Sequence, residues 1–345
     1  MTSLSLPGPF TGLALGQVDP VDRITRLVLD DLWGAILDFV AGATGIDMLA
    51  SPFMQRAYLA AVCIAIIGPL VGSFLVHREM AMIGDTLAHS AFAGVAAGLF
   101  VNATFDFEVT PLLTALVVAA VAAILVQALV DYAGAYRDTS LAIVLTGSFA
   151  VGSVLVTATD GGIAVGINAY LFGSLATVTR ANAAILLVMS VVVVVAVAVA
   201  YRPLVYITFD QVGARAAGLD VSRYNQLLAV LTAVVVVGAM QIMGVILVAA
   251  MLVVPVAAAT PVRGFKRSIG AAVCVGLLAT TGGVTLSYLY DVAAGGTIVL
   301  VAIGLYATAK VGVRGRQRVS RWKQTRTPTS SDSRAVKPDG GDDDE

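Results

Sequence analysis

An all-α, polytopic helical membrane protein is what this sequence predicts, on three observations. Hydrophobic residues fill 58% of the 345 positions and charged residues only 12%, about half the ~25% usual in soluble domains. Apolar runs near 20 residues recur, the length a helix needs to cross a hydrocarbon core. Those runs do not alternate apolar with polar residues, as membrane β-barrel strands do. The expectation is about 8–9 transmembrane helices plus a short re-entrant helix, in the plasma membrane.

Residues 1–50 read as an N-terminal extension, 51–312 as the transmembrane domain and 313–345 as a disordered cytoplasmic tail. That tail is basic, then acidic at Asp342, Asp343, Asp344 and Glu345, and too polar to bury a core. In the extension, Ile24, Leu27, Val28, Leu32, Ile36 and Phe39 fall at helical spacing among Asp and Arg residues. This predicts an amphipathic helix, lying on the membrane interface or packed on the bundle. No cleavable signal peptide is expected, since no short basic start and small-residue cleavage site flank the first apolar run.

The first span is 58–76, with Pro69 as a kink whose freed carbonyl Ser73 or a neighbouring helix could satisfy. After the polar break His77-Arg78-Glu79, residues 84–101 form a helix of small residues, among them Gly84, Ala88, Ser90, Gly94 and Gly98. Small side chains let backbones approach closely, so this helix is expected at the bundle centre. Spans follow at 112–130, 141–159 and 181–201, and the glycine-interrupted stretch 160–179 reads as re-entrant. Residues 224–238 and 241–259 make two spans, or one helix pair about a tight turn near Met240. Spans at 269–288 and 297–309 close the bundle. Cys63 and Cys274 lie in spans and read as small core residues.

Basic residues fix the orientation. Arg78; Arg137; Arg202, Arg215 and Arg223; Arg263, Lys266 and Arg267; and the cluster 310–326 fall on alternate loops, placed in the cytoplasm. Asp106, Glu108, Asp160 and Asp291 mark the other side, with Arg56 and Arg180 as exceptions.

The chemistry concentrates in the small-residue helix. Asp85 and His89, one of only two histidines, are four residues apart and so share one helix face. Ionisable groups inside a bundle are costly unless they meet a partner, a cavity or an ion, and a carboxylate with an imidazole suits a divalent transition metal. The alternative is an Asp–His pair that locks two helices. Two ligands are too few for a divalent ion, which takes four or more. Gln241, Asn225, Ser90 and backbone carbonyls are the further candidates.

A second feature is the cytoplasmic stretch FDQVGARAAGL, 209–219. Phe209, Val212, Ala216 and Leu219 repeat at helical spacing, Asp210 can cap the start, Gly213 lies in the first turn and Gly218 can end it. Its one arginine, Arg215, is a weak lipid anchor, so the stripe reads as a docking element for another protein rather than an interfacial helix. A third feature is 239–259, where Gln241, Gly244 and Pro255 interrupt an apolar helix and serve helix packing or line a pathway. No G-x-x-x-x-G-K-[ST] phosphate loop occurs, so any nucleotide hydrolysis belongs to a separate chain.

SPFMQRA at 51–57, REMAMIGDTLAHSAFAGVAAG at 78–98, FDQVGARAAGL and QIMGVILVAAMLVVPVAAA followed by a basic loop occur in that order. The chain thereby resembles the zinc/manganese/iron ABC transporter permeases over 51–309, most specifically in Gly84, Asp85, Leu87 and His89. The resemblance implies a non-enzymatic membrane subunit that works as a homodimer. Two cytoplasmic ATPase subunits would bind at 209–219, and an extracellular metal-binding protein would deliver the ion to Asp85 and His89. It implies no permanently bound cofactor and no nucleic-acid partner; the metal is cargo, and lipid surrounds the bundle. Zinc is the first expectation, with manganese or iron as alternatives. The extension and acidic tail are longer than the resemblance leads one to expect, and Arg78-Glu79 stands where paired basic residues would. The competing reading is a self-sufficient ion-coupled secondary carrier, which would need more buried carboxylates than Asp85. A structural protein with an Asp–His clamp is the third.

Overall fold

The computed structural model describes residues 33–44, 47–105, 109–132, 136–158, 163–174 and 178–325. Its α-helices, in chain order, are α1 (Trp33–Thr44), α2 (Pro52–His77), α3 (Met82–Phe105), α4 (Pro111–Tyr132), α5 (Arg137–Thr157), α6 (Ile163–Phe172) and α7 (Arg180–Val199). They continue with α8 (Tyr201–Phe209), α9 (Gln211–Ala216), α10 (Val221–Met243), α11 (Val245–Ala259), α12 (Phe265–Tyr290) and α13 (Ala294–Thr325). Eight of them (α2, α3, α4, α5, α7, α10, α12 and α13) are long and apolar enough to cross a membrane. No strand occurs among the described residues. The protein is a multi-pass, all-α membrane protein.

Small residues set the packing. α3 rests on α4, α5, α10 and α11, because its glycines and alanines admit backbones closely. A Cβ on Gly94 would stand 2.5 Å from Ala115 Cα of α4, and one on Gly152 of α5 would stand 2.7 Å from the Phe92 ring. Pro69 lies inside α2. The Ser73 hydroxyl donates to Pro69 O at 2.7 Å rather than to Ala65 O, the carbonyl that proline frees; Gly276 of α12 packs on that one instead.

The turn expected near Met240 falls at Gly244, where φ is +77°. α10 runs unbroken through Met240 and Gln241, and the chain reverses at the glycine because only a residue without Cβ takes this φ readily. Gly173, with φ +75°, ends the re-entrant segment and faces it. A Cβ on Gly244 would run into Leu171 O, and one on Gly173 into Ile242 O. Ser174 N donates to Gln241 O at 3.2 Å across this junction. α11 has 15 residues, about 22 Å against a core of about 30 Å, so the break lies within membrane depth.

At the N-terminal side, Trp33 Nε1 donates to Gln55 O and Gln55 Nε2 to Asp38 Oδ1, both at 2.8 Å, tying α1 to α2. Among the described residues of α1, Gly34, Leu37 and Ala41 are buried, while Ile36 and Phe39 face outward. The apolar stripe read from the sequence is thus the outer face here; Ile24, Leu27, Val28 and Leu32 lie outside the described residues. At the other end, α13 continues to Thr325, past the boundary at 312 drawn from composition. No proline interrupts the chain there before Pro328, so a polar sequence still propagates the helix. Residues 326–345, with the acidic end, lie outside the described set.

Candidate metal site and its cytoplasmic link

Asp85 occupies the first turn of α3. At 1.5 Å per residue it lies about 4 Å along that helix, and His89 about 10 Å. The pair thus sits in the first two to three turns of α3, near the end that the basic residues predict to be cytoplasmic. A helix N-terminus favours a carboxylate there, because its unpaired N–H groups carry partial positive charge.

His89 Nε2 is 3.8 Å from Asp85 Oδ1, beyond hydrogen-bond length. Metal bonds of about 2.1 Å at tetrahedral angles would set these atoms about 3.4 Å apart, so a small rotamer adjustment lets both reach one ion. His89 Nδ1 is buried without a hydrogen-bond partner. The imidazole is therefore not the satisfied half of a structural clamp. Its ring meets Phe149 of α5 edge-to-face at 5.3 Å, and Phe149 stacks on Phe92 at 5.6 Å. The ring packs on this aromatic wall with Nε2 toward Asp85.

The pair is not enclosed by its own chain. The Asp85 side chain is 44% exposed and that of His89 21%, and Met82 and Phe149 beside them are exposed as well. α3 is central, but it leaves this one stripe open. The further ligand candidates do not close it. Asn225 Oδ1 is held by Arg78, and Ser90 Oγ bonds Ser148 Oγ at 2.9 Å. Gln241 stands near the opposite end of α10, about 20 Å or more away along the bundle. Gly244 forms the re-entrant junction, and Pro255 is buried inside α11. Among the described residues no group of three or more His, Cys, Asp or Glu side chains comes together.

The docking segment is split. Phe209 ends α8, and α9 begins at Gln211. Asp210 caps it, accepting from Gly213 N at 2.7 Å, and the chain leaves through Gly218 at φ +81°. Ala214 is buried and Leu219 packs beneath with Ile207 and Val221, so Phe209, Val212 and Ala216 remain on the exposed side. Phe209 is 61% and Val212 80% exposed.

Two contacts missed by sequence reading join this segment to the helix carrying Asp85. Arg78, in the turn before α3, donates from Nε to Thr208 Oγ1 at 2.9 Å and from Nη1 to Asn225 Oδ1 at 2.8 Å. The rings of Phe209, His77 and Phe265 meet edge-to-face at 5.1 to 6.1 Å. Nearby, Lys266 Nζ lies 5.5 Å from the centroid of the Tyr201 ring, within reach of a cation–π contact. Only the small-xxx-small spacing of Ser148 and Gly152 was a sequence signal for the α3–α5 contact; nothing local marks Arg78 as the partner of residues more than a hundred positions away.

A bundle with eight helices long and apolar enough to cross a membrane defines a multi-pass membrane protein. Residues 50–312 match the ABC 3 transport family, and the chain belongs to it as an ABC-type metal permease subunit. It is 32% identical over 268 residues to the manganese transport system membrane protein MntC of Halalkalibacterium halodurans, covering 76% of this chain and 88% of that one. It is 28% identical over 251 residues to the manganese import system permease protein ScaB of Streptococcus gordonii, covering 72% and 87%. Among solved structures it resembles PsaBC from Streptococcus pneumoniae in complex with Fab, with TM-score 0.68 and 27% identity over 76% of this chain and 92% of that one.

Proposed function

We propose that this chain is the membrane subunit of a primary importer for a divalent first-row transition metal, with Asp85 and His89 as transient ligands. The observation that carries it is the open stripe: a carboxylate and an unpartnered imidazole on a face that is otherwise apolar. Facing lipid, such groups are costly. A second copy across a two-fold axis would cover them and double the ligand set to four, a sufficient number for a divalent ion. A set of oxygen and nitrogen donors without thiolate suits manganese as well as zinc, and the relatives named for manganese transport move manganese ahead of zinc. Iron(II) fits the same donors.

In this reading an extracellular metal-binding protein delivers the ion and a separate ATPase binds the exposed Phe209, Val212 and Ala216 face. Nucleotide binding there pulls on Arg78 and the Phe209 ring, and the α2–α3 turn carries that movement to Asp85. The ATPase drives the cycle only by binding the inward and outward states with different affinity.

The test is uptake of manganese and of zinc, supplied separately, by cells expressing this chain with its ATPase. Asp85→Ala and His89→Ala should reach the membrane and lose uptake of the transported metal. Wild-type uptake in both variants would refute the site.

A further inference from the structure

Two cavities meet at Lys266, at the cytoplasmic end of α12. One, of about 410 Å³, is an apolar slot lined by Leu70, Val194, Val197, Ala198, Tyr201 and Ile269 beside the lysine. The other, of about 510 Å³, is lined by Arg263, Gly264, Phe265, Lys266 and Arg267. The first turn of α12 carries no acidic residue, and these three cations form no ion pair among the described residues. Lys310 approaches the same loop, its Nζ donating to Thr260 Oγ1 at 3.2 Å.

The slot runs inward from this cluster. Val194 and Leu70 lie about 8–10 Å in from the cytoplasmic ends of α7 and α2, which is the depth of the first methylenes of an inner-leaflet chain. Outside it, α7 presents exposed Val188, Val191, Val192 and Val195, a face suited to hydrocarbon. At the junction Lys266 leans over the Tyr201 ring, and a tyrosine at such depth has its ring in hydrocarbon and its hydroxyl at headgroup level.

We propose that this composite cavity binds one anionic phospholipid of the cytoplasmic leaflet, the phosphate among Arg263, Lys266 and Arg267 and an acyl chain in the slot between α2, α7 and α12. Charge complementarity selects the headgroup: three cations that form no ion pair among the described residues favour a lipid with net negative charge over a zwitterionic one. The adjoining apolar slot selects a lipid over a soluble anion, which would leave it unfilled. Tyr201 opens α8, so the bound lipid braces the α7–α8 corner, from which the docking segment hangs, against α12.

The purified chain, reconstituted in phosphatidylcholine vesicles with and without phosphatidylglycerol, is extracted in detergent, and its retained lipid is identified by native mass spectrometry. The wild-type chain should carry one phosphatidylglycerol, preferred about tenfold over phosphatidylcholine. Arg263→Gln, Lys266→Gln and Arg267→Gln combined should abolish the preference, and Ala198→Trp, which fills the slot without altering charge, should reduce retention of either lipid. These residues are on the surface, so folding is monitored by melting temperature and should hold. An unchanged preference in the triple variant would overturn the proposal. So would displacement of the lipid by inorganic phosphate, by a second copy of this chain, or by the ATPase subunit. None of these outcomes depends on which metal is carried.

Discussion

Arg78 Nη1 donates to Asn225 Oδ1 across 2.8 Å, joining the turn ahead of α3 to the helix that follows the docking segment. The same guanidinium reaches Thr208 Oγ1 on α8, so one side chain ties three elements together at one end of the bundle. Hydrogen bonds to a charged group are worth ~1.5–3 kcal/mol each. Arg78→Ala should therefore lower metal uptake about tenfold or more while the ATPase still co-purifies with the chain. Arg78→Lys keeps the charge but not the planar fork, and should recover only part of the loss. Full uptake by the lysine variant would show that charge alone suffices.

The exposed apolar face at 209–216, proposed to receive the ATPase, can be altered separately from the buried side of the same segment. Val212→Glu changes a side chain that is 80% exposed and should leave the melting temperature of the purified chain within a degree or two. Its capture of the ATPase should fall sharply, because a charge now faces an apolar contact. Ala214→Glu puts a carboxylate at a fully buried position and should destabilise the chain, by several kcal/mol. A pull-down alongside a thermal melt distinguishes the two.

Gly244→Ala should be among the most damaging one-methyl changes in the bundle. Its φ is left-handed, and the added carbon meets Leu171 O and the Gly173 backbone. Strain of ~1–3 kcal/mol joins the cost of parting two packed backbones. Gly304→Ala, on α13 with nothing within 4 Å of its Cβ, is the control and should match or slightly exceed wild-type stability. The readout is folded yield in detergent and melting temperature; equal values for both variants would contradict the junction.

Asp85→Cys offers a softer donor from the same helix turn. Thiolate favours zinc and other soft ions over manganese. In competition uptake assays the variant should shift selectivity toward zinc and cadmium and lose manganese transport. Unaltered selectivity would mean that position 85 does not touch the ion.

Bundle and site differed in how much the sequence disclosed. Span positions were legible because hydrocarbon thickness imposes a length on apolar runs. The central place of α3 was legible because close helix contact needs small residues. The reversal at Gly244 was misplaced near Met240, since the run around both is apolar and only the tertiary press of Gly173 picks the glycine. Asp85 and His89 stood out by rarity and spacing. Their open face was not, because exposure depends on which neighbours α3 recruits. Arg78 was visible only as a topology marker; its partners come from loops that the sequence keeps far apart.

With Asp85 and His89 as the proposed ligands, their depth along α3 would make the ion's route lopsided. A cation seated at His89 has about 10 Å of helix on the cytoplasmic side and about 24 Å on the outer side. The inner barrier is a thin lip, which a small tilt of the α2–α3 turn can open. The outer barrier is the longer one. On that reading leakage from outside is resisted by distance, whereas discharge inward needs only a brief local opening next to the segment proposed to receive the ATPase. Work done on that segment is spent where the wall is thinnest.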